Sequence, residues 1–124
     1  MLFRSFLPRG PWSKVLLDVP CSNTAVLNRR PEARHALTRD ALKTLMRTQD
    51  ELLEIGLSLV EKNPAGGRVV YSTCSILACE GEERVEAALK RHPRAHVSLK
   101  ERKLPETPAD DGGSLFVIDV GATA

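Results

Sequence analysis

Two short apolar runs, Val15-Leu16-Leu17 and Val69-Val70, are each followed at once by polar and turn-forming residues. A short β-branched or leucine-rich run bounded in this way predicts a buried strand. Between the two runs lies a pattern of a different period. Leu42, Leu45, Met46, Gln49, Leu52, Leu53, Gly56, Leu59 and Val60 fall at i, i+3, i+4 and i+7 spacings. That is one stripe of an amphipathic helix. Thr38 suits its N-cap and Asp40 its first turn. Asn63-Pro64-Ala65-Gly66-Gly67 stops it after Lys62. The order strand, helix, strand predicts a right-handed βαβ unit with parallel strands over 15–18 and 68–72. Both strand ends then lie on one edge of the sheet, where open α/β folds build their sites.

The rest of the chain is less periodic. Residues 81–91 predict a second helix, with Glu82 and Glu83 in its first turn and Lys90 and Arg91 in its last, as the helix dipole favours. Val85, Ala88 and Leu89 give it a narrow apolar face, and Pro93 lies beyond it. A weak strand is expected over 96–99 and a firm one over 115–120. The charged stretch 100–114, with Pro105, Pro108, Gly112 and Gly113, reads as a loop. So does the basic stretch 23–37, with room for a short helical turn. Residues 1–14 read as an entry segment, and 15–124 as one α/β domain or part of one.

Composition narrows the class. The 124 residues are 42% hydrophobic, with one Trp, one Tyr and three Phe, so the core must be mostly aliphatic. The net charge of +2 is compatible with a nucleic-acid partner without demanding one. No apolar stretch of about 18 residues occurs, which excludes a transmembrane helix in this sequence. Three cysteines and no secretory signal argue against a disulfide framework and for reduced thiols in the cytoplasm.

The chemistry centres on Cys21 and Cys74, each just past a predicted strand. A cysteine acts as a nucleophile only as thiolate, so its pKa must be lowered locally. The hydroxyls of Thr73 and Ser75 and nearby backbone amides could support Cys74 in this way. Pro20 stiffens the approach to Cys21, and Asp18 offers a carboxylate at the strand end. Two thiols and a carboxylate on one edge suit covalent addition to an electron-poor ring. A lone cysteine at a strand end is more often a small buried hydrophobe, so residue pattern alone leaves both readings open.

Asp18-Val19-Pro20-Cys21-Ser22 and Tyr71-Ser72-Thr73-Cys74-Ser75-Ile76 resemble the two signature motifs of the RNA cytosine-5 methyltransferases of the Sun/Nop2/NSUN family. Arg29-Arg30-Pro31-Glu32-Ala33-Arg34 and the helix starting near Thr38 are similar to its bacterial branch, which modifies small-subunit ribosomal RNA. Asp111-Gly112-Gly113-Ser114-Leu115-Phe116-Val117 resembles the family's closing strand.

The resemblance implies a Rossmann-like methyltransferase fold dependent on S-adenosylmethionine, present from its fourth strand onward. The sheet would be mostly parallel, with an antiparallel last strand. Cys74 would add to carbon 6 of a cytosine, activating carbon 5 for methylation, and Cys21 would assist elimination of the adduct. Asp18 would lie by the methyl-donor end of the cofactor, and Pro20, Arg29, Arg30 and Arg34 by the RNA. The cytosine would have to leave its stack. Asn23 would take a left-handed backbone at little cost.

The family's glycine-rich cofactor turn and upstream RNA-binding domain are not found in these residues. The expectation is therefore the C-terminal portion of a catalytic domain, its sheet completed by an N-terminal half or a second chain. Two other readings stay open. One is an inactive remnant that binds RNA through the basic loop with strong salt dependence. The other is a metal protein using Cys21, Cys74 and Cys79, although the last two are spaced more loosely than a Cys-x-x-Cys knuckle.

Overall fold

The computed structural model describes residues 9–123. The elements are β1 (Lys14–Asp18), α1 (Arg39–Glu61), β2 (Gly67–Thr73), α2 (Glu82–Leu89), β3 (Ala95–Lys103) and β4 (Gly113–Val120). Most of the predicted entry segment, residues 1–8, lies outside the described residues. The basic stretch contains two short 3-10 segments, Thr24–Val26 and Pro31–Ala36. No helix among the described residues is long and apolar enough to cross a membrane.

The four strands form one sheet in the order β1-β2-β4-β3. β1 and β2 are parallel, and β4 is antiparallel to both β2 and β3. β1, β2 and β3 therefore run one way and only β4 runs the other. This is the mostly parallel α/β sheet with an antiparallel last strand that the family resemblance implies.

α1 begins as expected, with the Thr38 hydroxyl accepting a hydrogen bond from the Ala41 N–H at 3.1 Å. Its 23 residues reach about 35 Å, enough to cross back over the sheet and start a second parallel strand. The fully buried face is Gln49, Leu53, Gly56, Leu57 and Val60. Leu57 thus occupies the core position that the spacing had given to Leu59, which is half-buried. Gly56 has a packing reason: a Cβ there would meet Leu17 Cδ1 at 2.9 Å, so its absence lets α1 lie close on β1. Gly66, at φ 73°, turns the chain into β2 where a Cβ would collide with the Val120 carbonyl.

The helices cover one face of the sheet. Leu53, Leu57 and Val60 of α1 and Val85 and Ala88 of α2 pack with Val69, Tyr71, Phe116, Ile118 and Val120. These strand residues alternate in sequence, so the neighbours between them face the other side.

β3 is the main departure from the pattern. The strand was expected over 96–99 with a loop from 100, but it runs to Lys103. Ala95, Val97 and Leu99 alternate with polar residues, but only Ala95 is half-buried, and residues 100–103 are all charged. Pairing makes it a strand: Leu99 through Lys103 match Val117 through Gly113 of β4. Lys100 and Arg102 are tied to Glu82 of α2 at 3.0 and 4.0 Å. Its run of charges also protects an otherwise open edge from pairing with other chains. α2 is shorter than expected, ending at Leu89.

Past α2, His92 lies beneath α1 with its side chain 5% exposed. Its Nδ1 is 2.7 Å from Glu61 Oε1 and its Nε2 is 3.0 Å from Glu54 Oε2. Burial pulls the imidazole pKa down, but the bonds to Glu54 and Glu61 outweigh it and the net shift is upward. The bond to His92 in turn lowers Glu54.

Two outcomes follow for stability. Leu57→Ala should cost about 2–5 kcal/mol in denaturant unfolding, the range for removing a buried leucine. A raised His92 pKa means that the folded state binds the proton more tightly. That stabilisation is complete below the unfolded value of about 6.5 and is lost as pH rises through the higher folded value. The melting temperature should therefore fall as pH is raised from about 6 to about 8, and His92→Gln should flatten that slope.

Candidate active site

Parallel pairing brings the ends of β1 and β2 side by side, with Asp18 opposite Ser72. The loops beyond stay joined. The Val19 N–H donates to the Ser72 carbonyl at 3.1 Å, and the Ala25 N–H to the Cys74 carbonyl at 3.0 Å. Asn23 takes the left-handed conformation expected of it, at φ 59°, and folds the first loop back on itself. The Gly112 N–H donates to the Ala25 carbonyl at 3.0 Å, fastening the segment before β4 to the same place.

Beneath the loops is a carboxylate that the sequence reading did not single out. Glu80, in the 3-10 turn Ala78–Glu80, is fully buried. Its Oε1 accepts from the Ser22 N–H at 2.8 Å and from Gln49 Nε2 at 3.2 Å. Its Oε2 accepts from Ser22 Oγ at 2.6 Å and from Ser75 Oγ. Its backbone carbonyl accepts from the Tyr71 hydroxyl at 2.7 Å. Burial, and then the Glu80 charge, hold the Tyr71 pKa well above its ordinary value. The hydroxyls of Thr73 and Ser75 were expected to support the Cys74 thiol. They point inward instead: Thr73 Oγ1 accepts from the Ser75 N–H at 3.1 Å, and Ser75 Oγ serves Glu80.

The thiols differ in setting. Cys21, Cys74 and Cys79 are all free, and Cys74 is exposed. Cys74 lines a shallow hollow of about 280 Å³ with Ser72, Glu101, Lys103 and Asp111. Cys21 is half-buried at one end of a cleft of about 450 Å³, walled by Ala33, Ala36, Leu37, Ala41 and Leu45. Burial raises the Cys21 pKa. Hydrogen bonds from the backbone N–H groups of Asn23 and Cys74 oppose that rise, while the charges of Glu80 and Cys74 add to it. The two cysteine loops meet, but each thiol opens into its own hollow. Burial also raises Cys79, which lies on the 3-10 turn. No group of three His, Cys, Asp or Glu side chains among the described residues could share a metal ion.

The other residues named from the sequence are spread around this centre. Asp18 is exposed on the sheet face away from the helices, level with Ser72. The Pro20 carbonyl accepts from Gln49 Nε2 at 2.9 Å. Arg29 pairs at 3.3 Å with Asp111, which lines the Cys74 hollow. Arg30 is exposed, and so is Arg34, in the 3-10 segment beside the Cys21 cleft, with its Nε 3.5 Å from His35 Nε2.

Residues 6–114 match the family model described as 16S rRNA methyltransferase RsmB/F. The chain belongs to this family. Ribosomal RNA small subunit methyltransferase B of Yersinia pseudotuberculosis is 36% identical over 87 residues, which is 70% of this chain and 20% of the relative. The chain thus spans about a fifth of the length of the curated relatives it matches. The crystal structure of PH0851 is 30% identical with a TM-score of 0.76, covering 86% of this chain and 26% of that one. NSun6 from Pyrococcus horikoshii, solved with SFG, shares the fold at a TM-score of 0.62 and 20% identity, over 88% of this chain and 29% of that one.

In this RsmB/F family chain, exposure and the raised Cys21 pKa act in the same direction. Iodoacetamide at neutral pH should label Cys74 several-fold faster than Cys21, read by peptide mass spectrometry. Cys21 should catch up only at alkaline pH, where its thiolate forms.

Proposed function

We propose that this chain supplies the thiol-bearing part of an RNA cytosine-5 methyltransferase that uses S-adenosylmethionine and acts on ribosomal RNA. The observation that carries the reading is the joining of two cysteine loops at adjacent parallel strand ends, with one thiol exposed and the other half-buried.

Cys74, reachable from solvent, is the nucleophile. Its thiolate bonds to carbon 6 of a cytosine turned out of its stack, and the displaced π electrons make carbon 5 nucleophilic. Once carbon 5 is methylated, its proton must leave. The 5,6 double bond then re-forms and the bond between sulfur and carbon 6 breaks, returning the Cys74 thiolate. Cys21 takes that proton as its thiolate, the minor form that burial leaves at neutral pH, and the thiol so formed gives it up to water. When bound, S-adenosylmethionine supplies an electrophilic methyl group. The described residues fit only its methyl-donor end: Asp18 presents an exposed carboxylate beside Ser72, which borders the Cys74 hollow, and no described strand is followed by a glycine-rich turn. Arg30 and Arg34 suit phosphate contacts, which position an RNA without reading its sequence.

Covalent trapping tests this. An RNA containing 5-fluorocytosine cannot lose a proton from carbon 5, so a working enzyme stays attached to it. The chain would be incubated with that RNA and S-adenosylmethionine, alone and with the remaining length of a family member supplied in trans. A denaturation-resistant adduct is expected in at least the second case, abolished by Cys74→Ala and retained in Cys21→Ala. An adduct that survives Cys74→Ala would place the nucleophile elsewhere. Salt-sensitive RNA binding with no adduct in either case would favour a binding module without catalysis.

A further inference from the structure

Each of the two loops carries the dipeptide Cys-Ser: Cys21-Ser22 after β1 and Cys74-Ser75 after β2. Both serine hydroxyls donate to the same atom, Glu80 Oε2. We propose that Glu80 is a positioning residue that sets the separation and orientation of the two thiols by gripping the serine next to each. This deepens the reading of Cys21 and Cys74 as the reacting pair and rests on it.

The arrangement is costly for a purely structural element. A buried carboxylate gives up its hydration, and an apolar side chain could fill the same space. Three of the four donors on Glu80 come from the cysteine loops: Ser22 N–H, Ser22 Oγ and Ser75 Oγ. The fourth, Gln49 Nε2, also donates to the Pro20 carbonyl next to Cys21. With its amide turned this way, Gln49 leaves Oε1 buried without a partner, which costs its desolvation. Even the contribution of α1 is therefore directed at the first cysteine loop. Tyr71 fixes the other end of Glu80 through the backbone carbonyl. The carboxylate is held from both sides while it holds the loops.

Glu80→Gln separates positioning from folding. An amide cannot accept on both sides, so its NH₂ must face either the two hydroxyls or the Ser22 and Gln49 donors. The hydroxyls can rotate to accept, which keeps the core filled but loosens the grip on one or both serines. The readout is the thiols themselves, in a Cys79→Ser background, and needs no RNA or cofactor. A short bifunctional thiol reagent reports bridging of Cys21 to Cys74 by mass spectrometry. Iodoacetamide labelling against pH reports the Cys21 titration, on which the charges of Glu80 and Cys74 bear.

The expected result is a cooperative melt, a several-fold loss of bridging, and a Cys21 labelling midpoint moved to lower pH, because the Glu80 charge that raises it is gone. A folded Glu80→Gln protein with wild-type bridging and an unmoved Cys21 midpoint would overturn the proposal. If Glu80→Gln does not fold, Ser22→Ala and Ser75→Ala decide the matter, since each releases one loop. Wild-type bridging in both would overturn it. Failure to trap RNA with the wild-type chain would count against the methyltransferase reading and leave this measurement intact.

Discussion

The parallel pairing of β1 with β2 is the constraint on which the rest depends. Parallel neighbours cannot be joined by a tight turn, so the chain must cross back over the sheet before starting the second strand. α1 is that crossover, and its 23 residues are set by the distance to be covered as much as by helix propensity. The return places Asp18 opposite Ser72 and brings the loops carrying Cys21 and Cys74 into hydrogen-bonding contact. An antiparallel hairpin would have put the two motifs at opposite ends of the sheet. The chemistry of the thiols is thus a consequence of strand direction, and strand direction follows from a long helix between two short strands.

The sheet is covered on one side only by the described residues. On the other side a row of apolar residues runs across all four strands, from Leu16 through Val70 and Val117 to Leu99 in consecutive register. Leu16 is 70% and Leu99 45% exposed. The neighbouring row towards the strand ends is Asp18, Ser72, Leu115 and Glu101, three of its four members polar, and it leads to the Cys74 hollow. The nucleophile proposed here therefore opens onto the uncovered face, whereas Cys21 opens towards α1 on the covered one.

Legibility in the sequence tracked the range of the forces involved. β1, α1, β2 and β4 declare themselves through local period and flanking turns, because each buries a repeating face against one partner. The meeting of the loops that carry Cys21 and Cys74 was legible through the strand, helix, strand order. β3 was half legible. Its last residues are a strand because β4 pairs with them, and a charged edge strand has no apolar alternation to reveal it. Glu80 was not legible at all. A glutamate in a turn before a helix reads as a first-turn charge, and only the folded chain shows that donors from positions 22, 49 and 75 converge on it. Buried polar networks are assembled from residues far apart in sequence, so no window along the chain contains them.

The same network accounts for the different environments of two cysteines in near-identical Pro/Thr-Cys-Ser contexts. Position along the loop decides exposure. Cys74 follows β2 directly and stands at the rim, whereas Cys21 comes three residues after β1, where Asn23 folds the chain inward beside α1. Exposure then separates their chemistry. An exposed thiol meets substrate without desolvation, while a half-buried one beside a buried carboxylate keeps its proton at neutral pH. The chemistry proposed here asks for one sulfur to add and a second group to take the proton whose loss releases it. Glu80 bears on both loops. Its two oxygens hold the loops together, and its charge adds to the burial that keeps Cys21 in the protonated form.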